Sequence, residues 1–474
     1  MIRRRPAPSR SSQTEVNPKV IWILQVVFIL ANGVLAMWLP KHGSAVMWHG
    51  RFTLLAGVVL AMLFNRPAPA AYAAAYIAGC EVLWRMKKAD LPWEMGKYAT
   101  ILILVMAIMR AGKLKRSLLP AAYFILLLPS CVMIVGGMRP DEMRESLTFN
   151  LLGPLALAVC AIFFGAVPLT MQELKNTLVC LIGPAFGIAL LALETLEANR
   201  FTTFSDVSNA TASGGYGPNQ VSGVLGLAIL SILVYLMLGS PSKMMTGFMF
   251  LLLLFMLRQV ILTFSRGGLY MALGGAVAGS VFLVRDKKQR TRLLVGGAVL
   301  SLVFFVLILP RIERMTRGAV SERYGSLETT GRTELIEADI DTFFHNPVLG
   351  VGPGMGAKNR LKYFRVGTAH TEWSRMIAEH GTLGVLSAVC LFAMVWQSIR
   401  RAPTPQEKAI VAAFAMYGFL HLSVDATRLV APSFAFGLAT VTILRPRRRA
   451  SAPAAPVVPR AAGQPQQPRV AAAR

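Results

Sequence analysis

The sequence has few charged residues, and this scarcity excludes most soluble folds. Only 15% of the 474 residues are charged, whereas a soluble domain carries about 25%. Hydrophobic residues make up 54% of the chain, and the mean hydropathy is +0.54. The composition therefore predicts an integral membrane protein.

Acidic residues are the scarcer of the two charge types. The chain has 23 Asp and Glu against 49 Lys and Arg, which gives a net charge of +26. In a soluble protein this excess would suggest a nucleic-acid partner. In a membrane protein it indicates basic cytoplasmic loops, or binding of an anionic lipid or a pyrophosphate. We therefore expect membrane lipids as partners and no nucleic acid.

Cysteines and metal-binding motifs are also few. The five cysteines fall in or beside apolar runs, without CxxC spacing, so we expect them to pack as small hydrophobic residues. No His, Cys and Asp cluster has the spacing of metal ligands. We expect neither a metal nor another cofactor.

Long apolar runs, in contrast, are abundant. A spanning helix needs roughly 20 mostly apolar residues, and about 12–14 such runs occur between residues 20 and 444. The predicted fold is an all-α polytopic membrane protein with one large, partly helical outer loop. The predicted regions are a cytoplasmic basic tail (1–19), transmembrane helices (20–310), the outer loop (311–376), C-terminal transmembrane helices (377–444) and a disordered cytoplasmic tail (445–474).

Lysines and arginines in the short loops predict the orientation of the chain. Basic clusters such as residues 285–292 (RDKKQRTR) fall on the cytoplasmic side. The exception is residues 85–97 (RMKKADLPWEMGK), which the count places outside. Either the early spans are miscounted, or these charges serve the substrate. The segments predicted to share the outer side are residues 197–216, 264–267, 311–376 and 425–428.

Two outer turns carry candidate binding residues. In LTFSRGGLY, at residues 262–270, Ser265 is expected to cap the next helix and Arg266 adds a charge there. Together they predict a phosphate site, although an arginine that only reaches the membrane interface is the alternative. In GGYGPNQ, at residues 214–220, Asn219 and Gln220 offer amides to a hydroxyl-rich ligand. An ordinary turn before a helix is the alternative there.

The long outer loop carries the remaining candidates. Apolar spacing predicts a helix over residues 333–344, opened by Arg332 and with acidic residues such as Asp339 at its polar positions. His370 is expected to start a second helix, whose dipole disfavours the charged imidazole. A neutral imidazole can accept a proton from a sugar hydroxyl, and Glu372 is expected to orient or assist it. A solvated helix face and a surface histidine without a role are the alternatives.

The order of these motifs resembles the O-antigen ligase and O-antigen polymerase superfamily. The shared features are GPNQ, SRGG, and a large outer loop with GR, HNPVLGVGPG and AHTEW…EHGTLG. The resemblance is most specific over residues 214–384. It implies a multi-pass enzyme of the bacterial inner membrane whose active site faces the periplasm. It also implies an undecaprenyl-diphosphate-linked glycan as donor, without a metal or a nucleotide sugar.

The resemblance also implies roles for individual residues. Arg266 and Arg332 match the arginines that bind the diphosphate, and His370 matches the base that activates the acceptor hydroxyl. Members of the superfamily often have Asn after this histidine, whereas here Thr371 follows. Arg428, predicted on the same outer face, is a further substrate-binding candidate. Displacement of the diphosphate from the opposite side implies inversion at the anomeric carbon.

Two activities within the superfamily remain open, and the resemblance of GPNQVS and HTE favours the first. A polymerase joins two lipid-linked glycans into O-antigen or exopolysaccharide, with a chain-length regulator as a possible partner. A ligase transfers the glycan to lipid A-core. A transporter is the alternative from another class, but it would need coupling acids in mid-membrane and repeat symmetry. Glu81 and Glu194 lie close to predicted span ends, and the two halves of the sequence do not match.

Overall fold

The computed structural model describes residues 18–39, 43–64, 66–112, 118–199, 201–326, 332–361 and 371–445. Predictions for the N-terminal tail up to residue 17, for the C-terminal tail after residue 445, and for His370 lie outside the described residues.

Helices make up most of the described chain. Within these ranges the only β pairing is a bridge between Leu169 and Ile443. The helices are α1 (Pro18–Trp38), α2 (Ser44–Leu63), α3 (Ala68–Met86), α4 (Met95–Ala111), α5 (Leu118–Ile125), α6 (Pro140–Ala166), α7 (Met171–Ala198), α8 (Pro218–Met237), α9 (Lys243–Leu262), α10 (Arg266–Leu283), α11 (Lys287–Val303), α12 (Leu309–Thr316), α13 (Ala319–Gly325), α14 (Arg332–His345), α15 (Met355–Arg360), α16 (Glu372–Arg401), α17 (Pro405–Val424) and α18 (Val430–Leu438).

Nine helices in the described ranges are long and apolar enough to cross a membrane. This confirms the predicted all-α polytopic fold. Several predicted runs form shorter helices. Helix α5 ends at Ile125, and a 3₁₀ turn follows at Pro129–Ile134, because a proline cannot donate the helical backbone hydrogen bond. Helix α18 has nine residues, and beyond it the Leu169 N–H donates to the Thr442 carbonyl at 2.9 Å.

The polar turns predicted to share one face do meet at one end of the helical bundle, which we call the site end. Asn219 contacts Ser265 at 2.8 Å, and the Thr427 N–H donates to Glu372 at 3.2 Å. The basic loops lie at the other ends of the same helices. The connection between α3 and α4 also belongs to the site end, since Arg85 donates to Gln220 at 3.0 Å.

The long outer segment folds into short helices against the start of α16. Helix α12 continues the preceding apolar helix to Thr316, beyond residue 311, the predicted start of the outer loop. Helix α14 confirms the predicted amphipathic helix.

The turn that follows α14 packs against a break in helix α16. Gly381 has φ +59° and ψ −142°, so the backbone departs from the helical conformation at this residue. A side chain at this position would place its Cβ 2.6 Å from the Val348 carbonyl oxygen. The Val351 N–H also donates to the Ala378 carbonyl at 3.0 Å. The glycine therefore lets the loop seat itself on the start of α16.

Candidate active site

Ser265 stands directly before α10, as predicted, but the prediction that it caps this helix was wrong. Its hydroxyl donates to Asn219 Oδ1 at 2.8 Å. The Gly268 N–H instead donates to Ser222 Oγ at 3.0 Å. Helices α8 and α10 approach so closely that a Cβ on Gly268 would lie 1.9 Å from the Ser222 carbonyl oxygen. The neighbouring helix thus supplies the cap, which leaves Ser265 to hold Asn219.

Arg266 begins α10, and backbone carbonyls position its guanidinium. Its Nη1 donates to the carbonyl oxygen of Ser326 and lies 3.5 Å from that of Arg323. The buried Arg323 in turn donates from Nε to the Phe264 carbonyl at 3.1 Å. These hydrogen bonds attach helix α13, together with Ser326 directly after it, to the turn before α10. Two arginines accordingly lie at this helix N-terminus, where the dipole also favours an anion.

A small cavity lies beside this turn. Its volume is about 40 Å³, and its lining includes Asn219, Arg266, Arg323, His421 and Asp425. His421 is only 3% exposed. Among the described residues its Nδ1 has no hydrogen-bond partner. A buried ring nitrogen without a partner is costly in a packed interior, so His421 retains a capacity to bond a ligand in this cavity.

His380, a buried histidine on α16, differs from His421 in this respect. His380 Nδ1 lies 2.6 Å from Ser130 Oγ and 3.1 Å from the Leu127 carbonyl. These contacts give that ring nitrogen partners and join α16 to the 3₁₀ turn. His380 is therefore a structural residue of the scaffold.

Gln220 points into a hydrogen-bond network within the protein. Its Oε1 accepts from Arg85 Nη1 at 3.0 Å and from the Tyr216 hydroxyl at 3.1 Å. Both contacts use the amide oxygen. The predicted role for Gln220, hydrogen bonding to a hydroxyl-rich ligand, therefore stays a prediction that concerns its amide nitrogen.

Arg85 is the centre of this network. It pairs with Glu81 at 2.7 Å, donates to the Arg428 carbonyl at 3.2 Å, and donates to the Trp93 carbonyl at 2.9 Å. Glu81 also accepts from the Val430 N–H at 2.8 Å. A buried ion pair of α3 thus holds the turn before α18. These contacts hold Arg85, the first residue of the basic segment 85–97, at the site end, and a role of the segment's charges in binding the substrate stays a prediction.

Arg428 lies at the edge of a second small cavity. This cavity measures about 60 Å³, and Asn150, Arg360 and Arg375 also line it. The Arg428 side chain is 24% exposed, and its Nε lies 3.8 Å from Asp425 Oδ1. Two further cations, Arg360 of α15 and Arg375 of α16, therefore lie near the turn predicted to bind substrate.

Glu372 is buried in an ion network, 1% exposed. Its carboxylate pairs with Arg375 and accepts from the Thr427 N–H at 3.2 Å. Arg375 also binds Glu379 at 2.8 Å and Asn150 Oδ1 at 3.0 Å. These contacts join α16, α6 and the turn before α18. A role in orienting His370 stays a prediction for Glu372, whose described contacts are all to this network.

Asp339 belongs to the same interior, although the sequence placed it on the polar side of its helix. It is 1% exposed and forms an ion pair with Arg360. Its Oδ2 accepts from Ser374 Oγ at 2.6 Å. Burial raises the pKa of the Asp339 carboxyl, and the Arg360 cation opposes this shift. The prediction that Asp339 lies on the exposed, polar side of its helix was wrong. The ion pair with Arg360 of α15 offsets the cost of burying the carboxylate.

The contacts of Asp339 connect the two candidate residues of the outer loop. Arg332 begins α14, as predicted. Asp339 lies on the same helix and holds Ser374 in the first turn of α16. Thr371 caps that turn by accepting the Ser374 N–H at 3.2 Å. The contact between Asp339 and Ser374 thus fixes α14 to the start of α16. Thr371, which directly follows His370 in the chain, belongs to the same turn.

Sequence reasoning missed Arg85, His421 and Asp339. Arg85 and His421 end or interrupt apolar runs, and an ionisable residue in such a run is a signal for function. Asp339 gave no such signal, because its spacing matches the other acidic residues of α14. In the described residues no group of three or more His, Cys, Asp or Glu is placed to hold a metal ion. A metal-free reaction stays a prediction.

Comparison with known proteins places part of this site in a family. No curated protein matches the chain. Residues 249–389 match the family model Wzy_C, described as O-antigen ligase. The match contains Arg266, α14 and the first turns of α16, whereas Asn219, His421 and Arg428 lie outside it. Residues 249–389 are thus similar to the O-antigen ligase family, which confirms the resemblance found in the sequence.

Proposed function

We propose that this protein is an inverting, metal-independent glycosyltransferase that uses an undecaprenyl-diphosphate-linked glycan as donor. Its most favoured reaction is polymerisation of O-antigen or exopolysaccharide repeat units. The family match supports an O-antigen ligase or polymerase type of enzyme in general. The finer proposal depends on one observation: an arginine-bearing helix start and the residue next to His370 lie at the same end of the bundle.

In the proposed reaction the acceptor hydroxyl oxygen attacks the anomeric carbon of the donor. His370 takes the hydroxyl proton, a new carbon–oxygen bond forms, and the bond to the diphosphate breaks. The electron pair of that bond leaves with undecaprenyl diphosphate. Arg266 and Arg332 stabilise the negative charge that develops on the leaving group, more strongly in the transition state than in the ground state.

His421 extends this mechanism on the leaving-group side. It lines the cavity that Arg266 also lines, and its Nδ1 has no partner among the described residues. A hydrogen bond from this ring to a phosphate oxygen would add to the arginine contribution. His421 therefore takes the role of a phosphate-binding residue in the proposal, while His370 keeps the role of base.

The distribution of charge supports the periplasmic side of the inner membrane for the site. Residues 285–292 and Arg400–Arg401 lie at the ends of α10 and α16 that are remote from the site. Basic loops are retained on the cytoplasmic side. A periplasmic site also matches a donor whose lipid is anchored in the membrane.

Ligation is the second candidate, because the matching family model is described as O-antigen ligase. Product analysis separates the two reactions. Membranes that contain the protein receive the lipid-linked oligosaccharide, and the products are resolved by length. A ladder of repeats supports polymerisation, whereas a single addition to lipid A-core supports ligation and defeats polymerisation.

The transfer reaction itself is tested at His370. The variant His370→Ala is expected to lose product, by at least ~10²-fold for a general base, while the protein still reaches the membrane. The matched control is His345→Gln, since His345 is exposed on α14 and its side chain is 73% accessible. Full polysaccharide output from His370→Ala would defeat the assignment.

A further inference from the structure

A larger cavity opens beside the candidate active site, and the proposed reaction has not yet given it a role. Its volume is about 340 Å³, within the range of small-molecule sites, about 300–1,000 Å³. The connection between α3 and α4 forms one wall. The turn before α8 forms the other, through Gly215 and Tyr216.

An exposed aromatic ring lines this cavity. Trp93 is 53% exposed, although it lies in the polar connection between α3 and α4. The Arg85 guanidinium carbon is 4.4 Å from the centroid of its ring. The half-buried Tyr216 and the buried Trp84 also contribute to the lining. Aromatic faces carry partial negative charge and pack well against the C–H face of a sugar ring.

The charged side chains that line the cavity are Glu81, Arg85 and Lys88. Arg85 is paired with Glu81 at 2.7 Å, so a diphosphate bound beside Trp93 would have to compete with the Glu81 carboxylate for this cation. A neutral ligand avoids this cost and still meets both donors and acceptors. At the wall formed by Trp93 and Arg85, the ion pair therefore favours hydroxyl groups over phosphate.

Arg85 retains a donor for such a ligand. The residue is 9% exposed and lines the cavity. Among the described residues its Nε has no hydrogen-bond partner. Its other nitrogens hold Gln220 and the Arg428 carbonyl. The cavity wall is thus continuous with the candidate active site, next to Asn219 and the turn before α18 that carries Arg428.

We propose that this cavity is a sugar subsite, which binds an uncharged sugar unit of the glycan by stacking on Trp93 and hydrogen bonding to Arg85. The subsite rests on the proposed function, because it serves the same glycan transfer. It extends the site beyond residues 249–389 and gives a role to the basic segment 85–97. The diphosphate remains at Arg266, where a helix start and two arginines favour an anion.

Binding can be tested without any transfer. The probe is the repeat-unit oligosaccharide, released from the native polysaccharide and free of lipid and diphosphate. Saturation-transfer NMR with the full-length protein in detergent reports its binding. Trp93→Leu removes the ring but keeps an apolar side chain, and is expected to bind about tenfold more weakly. Trp93→Phe keeps a ring and is expected to bind within a few-fold of the unmodified protein.

The control is Trp396→Leu at the opposite end of α16. Trp396 is 64% exposed, and the Arg400 guanidinium lies 5.5 Å from its ring. Like Trp93 it is an exposed tryptophan beside an arginine, but it lies far from the cavity. Its substitution is expected to leave binding unchanged. Unchanged binding in Trp93→Leu would overturn the subsite. Displacement of the oligosaccharide by inorganic pyrophosphate would also overturn it, because the cavity would then be an anion site.

A transfer assay on the same variants keeps the two proposals distinguishable. For Trp93→Leu we expect a higher KM for the glycan and a nearly unchanged kcat. Unmodified protein that transfers no lipid-linked glycan would refute the proposed function. Normal transfer by the unmodified protein, combined with an unchanged KM in Trp93→Leu, would refute only the subsite.

Discussion

Asp339 of α14 contacts both α15 and the start of α16. Substitutions at this residue can therefore distinguish a loss of protein stability from a loss of site geometry. Its carboxylate pairs with Arg360, and the two side chains are 2% and 1% exposed. Its second oxygen accepts from Ser374 at 2.6 Å. Asp339→Ala removes both contacts at once. Removal of one partner from a buried ion pair costs about 3–5 kcal/mol, so we expect a lower thermal midpoint and little transfer activity.

A second variant avoids an unpaired buried charge but still removes the acceptor that positions Ser374. Asp339→Leu combined with Arg360→Met replaces the buried pair by apolar side chains, a change that is often neutral for stability. Ser374 nevertheless loses its acceptor, so the capped turn after His370 is free to shift. A displacement of about 1 Å at a reacting group can cost ~10²-fold in rate. We expect near-normal stability with a fall in kcat of that order.

The measurements are thermal unfolding in detergent and the initial rate of glycan transfer. Glu142→Ala is the matched control, since Glu142 pairs with Arg139 on the surface, where the two side chains are 46% and 80% exposed. Such a pair contributes about 0–1 kcal/mol, so both measurements should stay normal. A double variant with the full transfer rate would refute the link between α14 and the turn after His370.

Two further substitutions test the phosphate side and the loop anchor. His421→Gln removes a ring that lines the cavity next to Arg266 and should lower kcat about 10-fold or more. His345→Gln should leave kcat unchanged, and equal rates for both variants would contradict a role for His421. Gly381→Ala forces a side chain into a left-handed conformation against a carbonyl oxygen, which should cost about 1–3 kcal/mol or more and lower the thermal midpoint. Gly296→Ala, with open space around it, should not, and equal midpoints would show that the turn adapts without strain.

Local sequence patterns predicted many of the helices and the grouping of the polar turns at one end of the bundle. The apolar spacing of residues 333–344 located α14. Alternation of the spans grouped Asn219, Ser265 and the turn at residues 425–428 at one end. These features depend on residues near each other in the chain, or on the period of a helix, and both can be read directly from the sequence.

The partners of individual side chains were not predictable in the same way. Arg85 and Gln220 are 135 positions apart, and Asp339 and Ser374 are 35 apart. Such pairs depend on which helices pack together, and periodicity does not specify that. Ser265 illustrates the effect, because the close approach of α8 gave its expected capping role to Ser222. The sequence therefore located polar residues of this site but did not show which partners they contact.

The contacts of the stretch that matches the O-antigen ligase model limit how far this stretch can act as a module. Ser222 caps the helix that begins with Arg266, and Thr427 holds Glu372. Both lie outside residues 249–389. A chimera that receives only this stretch from a relative would combine the relative's motif residues with this chain's Ser222 and Thr427. Transfer of specificity between such enzymes therefore requires α8, the α3–α4 connection and the turn before α18 to be exchanged together with the domain.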